Sequence, residues 1–551
     1  MMFSIVIPTR ARPDTLRHAL KTVLAQSDGD FEVIVHESGN DPGSAAVVAE
    51  FDDERIRFFQ TGEPVRMTEN WERALARARG DYVCFIGDDD ALLPETCTMA
   101  RNILQAHPSE ILSWPLASYY WPRYFDPEMA NRLSAAWGEK LICSRKDSRF
   151  ILELFYRFRA RYDELPMMYN SFVSRTVIDR VIAAHGRYFI GSFPDIASGV
   201  ANLYFSPIFV HCNRPLSINA ASHHSTGHAL VRSGNEEIRA RALAAAFGDI
   251  PAHPTMVPSF DLTLAIANEM LIIKQQLFPR GDPQFNHARM LEEVARCINE
   301  YPGQYDAAVA ACRAIAQKNG ITFDERDLPP RAPPSKPPRR DRREVQFGTV
   351  LIDLDGASRG FANVSDAAAA LAQQLPPPTM PEFVIDASND GVMLSNLAAR
   401  DVNDPVTLDF SSSGGGALLL GSGWSVVEPW GVWSIGTRAE IGFPIAPGSS
   451  GSLTLRLIGR VYWPPRNMTI CAKLGTRILA QRQMIADDAR LVIELAAMEI
   501  EPSDSARKLE VIITIDESRS PMEAGTGPDT RRLGFGLERA VIHMARPQAP
   551  A

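Results

Sequence analysis

Short apolar runs at 3–7, 31–35, 56–59 and 82–86 are interleaved with amphipathic helical stretches at 14–26 and 68–79. Runs of four or five residues rich in Ile, Val, Phe and Tyr and bounded by polar turns are too short for helices and read as strands. Strand–helix alternation at this spacing predicts a mostly parallel sheet with helices on both faces, an α/β class. Ligands in such sheets sit at the carboxyl ends of the strands. That rule singles out three loops, at 8–12, 36–41 and 87–94.

The rest of the 551 residues changes texture twice. Leu262, Ile266, Met270 and Ile273, then Met290, Leu291, Val294 and Ile298, recur at helical spacing and predict a small helical extension. A Pro- and Arg-rich stretch follows, with Arg331, Lys336, Arg339, Arg340, Arg342 and Arg343; it reads as a solvated spacer or as an electrostatic contact to anionic lipid. Beyond it, short runs at 349–354, 417–420, 453–458 and 509–515 between Gly, Ser, Pro, Asn and Asp clusters predict an all-β sandwich. The predicted units are therefore 1–235, 236–325, a linker at 326–344 and the sandwich at 345–547.

A net charge of -9 supplies no global field for a polyanion, so nucleic acid is not an expected partner. The seven cysteines form no C-x-x-C pair, which leaves neither a zinc site nor a disulfide framework and fits a reducing cytoplasm. The apolar start is only a few residues long, lacks a basic flank and reads as a first strand, not a signal peptide. No apolar run reaches the roughly 18 to 20 residues that span a bilayer. The expected location is cytoplasmic, with membrane contact at most peripheral at the inner face of the plasma membrane.

Asp88, Asp89 and Asp90 directly follow a buried strand. Adjacent like charges repel, and a divalent cation held by oxygen ligands is one compensator; acidic capping of a following helix is the other. The later polar stretch 217–228 holds His223, His224 and His228, readable as a flap with His223 or His224 near a metal or as exposed loop residues. His224 and His228 are spaced like a zinc pair but lack the acid and third ligand such a site needs. Asn70, opening the helix before the acidic strand, could touch a ligand or cap the helix. Trp424, Trp430 and Trp433, with Glu428 nearby, could hold a glycan face or staple two sheets together.

The ordered set Phe3-Ser4-Ile5-Val6-Ile7-Pro8-Thr9, Val33-Ile34-Val35-His36-Glu37-Ser38-Gly39 and Gly80-Asp81-Tyr82-Val83, leading into Asp88-Asp89-Asp90 and Pro94, resembles glycosyltransferase family 2 across roughly the first 230 residues. The resemblance implies a GT-A, Rossmann-like domain binding a nucleotide-diphospho-sugar, UDP- or dTDP-linked, with Mn2+ or Mg2+. It implies that Pro8, Thr9 and Arg10 border the nucleotide, that Glu37 accepts a base imide N–H, that Asp88 binds ribose, and that Asp89, with Asp90 beside it, ligates metal. The chain departs from the family pattern at Arg10, Ala11, His36 and Gly87. Inverting transfer needs a carboxylate to take the acceptor hydroxyl's proton. Asp195, in Gly191-Ser192-Phe193-Pro194-Asp195, resembles the family's base, and a helix-capping role is its alternative.

The segment 421–436 is similar to a Gly-Trp-Ser signature of jelly-roll-like sandwiches attached to bacterial surface-polysaccharide enzymes, and 529–537, with Arg531, looks like its closing element. The resulting expectation is an inverting, metal-dependent transferase acting on a glycan or lipid-linked acceptor. The rival is a non-catalytic glycan-binding or scaffolding protein on a degenerate transferase domain. A nucleotidyltransferase is disfavoured because Pro8-Thr9-Arg10-Ala11-Arg12 contains no glycine to cradle a triphosphate.

Overall fold

The computed structural model describes residues 1–225, 252–299, 302–331, 341–346, 349–377, 381–385, 406–411, 414–445, 450–487, 490–503, 505, 507–521, 523–524 and 531–545. The chain forms two compact units. One comprises Met1–Tyr156 with Tyr162–Ile385, the other Arg157–Arg161 with Asp386–Ala551.

The first unit is built on β1 (Phe3–Thr9), β2 (Phe31–Glu37), β3 (Ile56–Gln60) and β4 (Tyr82–Phe85), all parallel, separated by α1 (Pro13–Leu24), α2 (Pro42–Ala49) and α3 (Met67–Leu75). All seven residues of β1 are buried, as a strand covered on both faces must be. The β1–β4 approach is close: a Cβ on Gly80 would lie 2.6 Å from the Ser4 backbone nitrogen, so only glycine fits there. Further strands extend this sheet to nine: β6 (Ile111–Ser113), β9 (Ile142–Asp147), β10 (Ser171–Ser174), β11 (Ile208–Cys212) and β15 (Glu382–Ile385). Its order is β15-β9-β11-β6-β10-β4-β1-β2-β3, with β10 antiparallel to both neighbours. Helices α4 (Thr96–Ala106), α5 (Ser148–Tyr156), α6 (Arg175–His185) and α7 (Pro194–Phe205) connect these strands.

A second, six-stranded sheet runs β13-β14-β8-β7-β12-β5. Its members are β5 (Ala91–Leu92), β7 (Ala117–Tyr120), β8 (Arg132–Gly138), β12 (Ser217–Ala221), β13 (Arg342–Gln346) and β14 (Thr349–Asp355). The helical extension supplies α8 (Leu262–Leu277), α9 (His287–Cys297) and α10 (Tyr305–Asn319).

The domain boundary expected at 345 is corrected here. β14 pairs antiparallel with β8 over seven residues, from Thr349 opposite Gly138 to Asp355 opposite Arg132. After a short turn, α11 (Gly356–Arg359), comes α12 (Val364–Gln374). It buries Val364, Ala367, Ala368 and Leu371 with Val350, Ile352, Leu354, Tyr119, Leu133 and Trp137. The segment 342–385 thus completes the first unit, and Arg342 and Arg343, expected in a linker, lie in β13. Lys336, Arg339 and Arg340 lie outside the described residues.

The second unit contains two antiparallel sheets. One holds β16 (Val406–Asp409), β17 (Trp424–Glu428), β18 (Gly431–Ile435), β20 (Gly451–Val461), β23 (Leu491–Ile500) and β25 (Leu533–Ala545); the other holds β19 (Arg438–Ile445), β21 (Arg466–Leu474), β22 (Arg477–Ala486) and β24 (Arg507–Ile515). Alternate residues are buried, such as Leu453, Leu455 and Leu457 on β20 and Leu509, Val511 and Ile513 on β24, the pattern of a sandwich. The run at 417–420, expected as a strand, is instead mostly a 3-10 turn, Gly415–Leu419. Among the described residues no helix is long and apolar enough to cross a membrane.

Candidate active site

The three loops singled out by strand order converge. Asp88, three residues beyond the end of β4, is 2 % exposed. Its Oδ2 accepts the Thr9 hydroxyl at 2.6 Å and its Oδ1 the Arg12 guanidinium at 3.1 Å. Burial raises the Asp88 pKa and the Asp89 charge adds to this, while Arg12 and the Thr9 hydroxyl pull it down. Arg12 itself is burdened by burial, but Asp88 and Asp89 more than offset that and hold it charged. The same guanidinium donates through Nη2 to the His224 carbonyl oxygen at 2.6 Å, tying the first loop to the segment after β12.

Asp89 and Asp90 reach the same segment. Asp89 Oδ2 accepts the Ser222 amide at 3.1 Å and the hydroxyls of Ser222 and Ser225 at 2.7 and 2.6 Å. No donor to Asp89 Oδ1 is present among the described residues, which leaves that oxygen open to a cation. Asp90 uses both oxygens on backbone, accepting Ala220 N–H at 2.7 Å and Gly87 N–H at 2.6 Å. The expected metal role of Asp90 is therefore corrected: the residue pins β12 to the acidic loop. Its pKa is raised by burial and by Asp89, against those two donors.

The nucleotide-side residues divide. Pro8 is buried in β1, Thr9 is committed to Asp88, and Arg10 is exposed. Glu37 is 1 % exposed and receives the Ala11 amide on both oxygens at 3.2 and 3.3 Å, so it braces the first loop, where Ala11 adopts φ 51°. Asn70 is corrected more firmly. It is buried, its side-chain amide donates to the His36 carbonyl at 3.2 Å, and its oxygen meets His36 Nδ1 at 2.8 Å. Asn70 locks β2 to α3, and burial lowers the His36 pKa so that the ring stays neutral.

Asp195 stands in the first turn of α7, half-buried, with its own helix's Ile196 amide on Oδ1 at 2.9 Å. Burial raises its pKa, making it a stronger base than an exposed carboxylate. Tyr169, which sequence reasoning did not pick out, lies within electrostatic reach of Asp88, Asp89, Asp90, Asp195 and Arg12. The Tyr169 ring packs edge-on against Trp71, 5.0 Å between centroids. One tyrosine thus sees both the acidic loop and the candidate base.

The His223 and His224 rings lie 3.7 Å apart between centroids, tilted by 40°, and gather with Asp14 of α1. This is the one group of three or more among the described residues whose ligand atoms all lie within 4.8 Å of one another. Asp14 carried no sequence signal beyond its place in the first turn of α1. Burial and the neighbouring His224 lower the His223 pKa, the neutral form that ligates metal. His228 lies outside the described residues.

Residues 4–178 match the family model for glycosyl transferase family 2. They form a glycosyl transferase family 2 domain. A "GalNAc(5)-diNAcBac-PP-undecaprenol beta-1,3-glucosyltransferase" of Campylobacter jejuni is 32% identical over 93 residues, 16% of this chain and 30% of that protein. The "Uncharacterized glycosyltransferase YfnE" of Bacillus subtilis is 29% identical over 162 residues, 28% of this chain and 40% of that protein. The chain thus spans less than half the length of these relatives. The crystal structure of S. aureus TarS is similar at 10% identity and a TM-score of 0.33, covering 93% of this chain and 72% of that one. The family 2 domain contains the acidic loop, Thr9, Arg12, Glu37 and Tyr169; Asp195, Ser222 and the two histidines lie beyond its matched residues.

In the sandwich the three tryptophans separate. Trp424 is 4 % exposed with its indole N–H on the Glu440 carbonyl at 2.7 Å, and Trp433 is 6 % exposed; both serve packing, which corrects their expected glycan role. Trp430 is half-buried, donates to Glu428 at 2.7 Å and lies under the Arg460 guanidinium at 4.7 Å. Arg531 bridges Glu428 and Ser425. Trp463, not singled out from sequence, is 42 % exposed.

Proposed function

We propose that the chain is an inverting, metal-dependent glycosyltransferase moving a sugar from a UDP- or dTDP-linked donor to a hydroxyl of a glycan or lipid-linked acceptor, in bacterial surface-polysaccharide synthesis. The observation that carries this reading is the buried acidic loop of the family 2 domain, where Asp88 holds Thr9 and Arg12 of the first loop and Asp89 holds Ser222 and Ser225. In an inverting displacement the attacking hydroxyl and the departing diphosphate are on opposite faces of the sugar. Asp195 takes the hydroxyl's proton, and burial has already moved its pKa in the direction a general base needs. Arg12 stands at the diphosphate side beside Asp88 and carries positive charge toward the leaving group.

A divalent cation fits the residues present. Asp89 offers Oδ1, and the Asp14, His223 and His224 group, of which Asp89 is not a member, offers oxygen and imidazole donors of the kind that suit Mn2+ or Mg2+. When bound, such an ion supplies charge neutralisation for the diphosphate. The segment 222–225 is held down on Asp89 by the hydroxyls of Ser222 and Ser225. Trp430, with Glu428 and Arg460, is the sandwich surface at which a glycan would rest. The location that suits these substrates is cytoplasmic, with peripheral membrane contact.

The test is calorimetric binding of UDP, dTDP and GDP with and without Mn2+, and turnover of the matching nucleotide-sugars. Asp89→Ala is expected to abolish manganese-dependent binding. Asp195→Asn is expected to retain binding and lose turnover by about 10²- to 10⁴-fold. Absence of nucleotide binding by folded wild type would instead favour a glycan-binding protein.

A further inference from the structure

Glu269 lies on α8, far along the chain from the acidic loop, and is fully buried. Its Oε1 accepts two consecutive backbone N–H groups, from Ser192 at 2.7 Å and from Phe193 at 2.9 Å. Phe193 is the N-cap residue of α7, and Asp195 is two residues on. The loop is shaped around this carboxyl: Gly191 adopts φ +107°, open to glycine and strained for other residues, and a Cβ there would lie 2.2 Å from Oε1. From the other side, the Thr68 hydroxyl donates to the Ser192 carbonyl at 3.4 Å. Glu269 Oε2 is buried and has no hydrogen-bond partner among the described residues. A buried carboxyl oxygen left without a partner is costly and calls for an explanation.

We infer that Glu269 is a positioning residue for Asp195: from α8 it fixes the 191–193 loop by its two backbone amides and so sets the aim of the base. This rests on the reading of Asp195 as the base. Loss of the clamp frees two amides and the glycine hinge next to them, and α7 then enters at a variable angle. The donor's contacts on the acidic loop are made by other elements and stay in place. The clamp therefore acts on kcat and leaves donor KM alone. Burial, with the Asp195 charge adding to it, pushes the Glu269 carboxyl up to about 8, so the clamp is neutral at pH 7 and adds no repulsion to Asp195.

The test uses the full chain with Mn2+ and follows UDP release from UDP-GlcNAc, UDP-glucose and UDP-galactose with water as acceptor. Wild type, Glu269→Leu, Glu269→Gln, Gly191→Ala and Asp195→Asn are compared, each with amide exchange across 187–197. Glu269→Leu is expected to lower kcat by 10- to 100-fold with donor KM within twofold, and to speed exchange at Ser192 and Phe193. Glu269→Gln, which keeps one oxygen for both amides, is expected to recover kcat to within about threefold of wild type. Gly191→Ala, whose Cβ strikes Oε1, repeats the Leu effect and stands in for it should Glu269→Leu not fold. Wild-type kcat in Glu269→Leu or in Gly191→Ala, alongside an inactive Asp195→Asn, overturns the inference and leaves the base in place. Full turnover by Asp195→Asn, or no release by wild type, removes the base reading and the inference with it.

Discussion

At the scale of single residues, three consecutive aspartates have three separate duties because each carboxylate meets a different donor set. Asp88 faces Thr9 and Arg12, Asp89 faces Ser222 and Ser225, and Asp90 faces backbone amides alone. Glu269 shows how such burial becomes a pH dependence. Its folded pKa of about 8 stands above the ordinary 4.5, so the native state keeps a proton that the unfolded chain gives up. The contribution is fully present below about 4.5 and is lost as pH rises through about 8, at up to about 1.4 kcal/mol per unit. The titratable groups facing it are Asp195 of α7 and Tyr156 of α5. Urea denaturation of wild type and Glu269→Gln between pH 5 and 8 checks this: wild type is expected to lose stability relative to the variant as pH rises, and parallel curves would contradict it. Carboxylate clustering at 88–90 and the acid at 195 were legible in the sequence. The division of labour among the three aspartates was not, because most of their donors are far away in sequence: Thr9 and Arg12 lie 79 and 76 residues upstream of Asp88, and Ala220, Ser222 and Ser225 lie 130 to 136 residues downstream of their acceptors. Glu269 was invisible for a plainer reason, being one of several polar residues in its helix, with partners that are backbone atoms.

At the scale of elements, the site depends on a seam between two sheets. β4 lies inside the nine-stranded sheet, between β10 and β1, and the next strand in the chain, β5, joins the other sheet by pairing antiparallel with β12. Asp90 spans that change of sheet, holding Gly87 at the end of one and Ala220 in the other. Asp90→Ala leaves the buried Ala220 amide and the part-buried Gly87 amide without acceptors, which costs on the order of 1–3 kcal/mol each at most. The expected outcome is a lower melting temperature and weaker nucleotide binding together, read by thermal shift with and without UDP. An unchanged melting temperature would show that the seam holds without it. The parallel strands and their helices were readable because strands buried on both faces carry unbroken apolar runs. The pairing of β5, only two residues long, was not, since nothing in Ala91–Leu92 distinguishes a strand from the continuation of a loop. Similarly, Asn70 looked like a capping residue, and its use as a tie between β2 and α3 follows only once His36 is placed opposite it.

At the scale of the whole molecule, the first unit closes with residues beyond the proline-rich stretch. The alternation in Thr349–Asp355 was legible as a strand, but its partner was not: the same pattern suits a sandwich and an edge of a mixed sheet, and pairing with β8 spans more than 200 residues. Composition shifted at 345, whereas packing changes hands after Ile385. A chain ending at 331 would strip β14 and α12 from Tyr119, Leu133 and Trp137 and expose them, along with the unpaired edge of β8. Each large apolar side chain so uncovered costs about 1.5–3 kcal/mol, which exceeds what a marginally stable domain can lose when several are exposed at once. The neighbour of the acidic loop would suffer too, because α12 also packs on β5 and β12. The prediction is that truncation after 385 gives soluble, cooperatively melting protein that binds nucleotide as the full chain does, while truncation after 331 aggregates or melts without a transition. Calorimetry on the two fragments decides it. A well-folded, nucleotide-binding 1–331 fragment would place the end of the first unit before β13 and make the 342–385 segment an accessory to it.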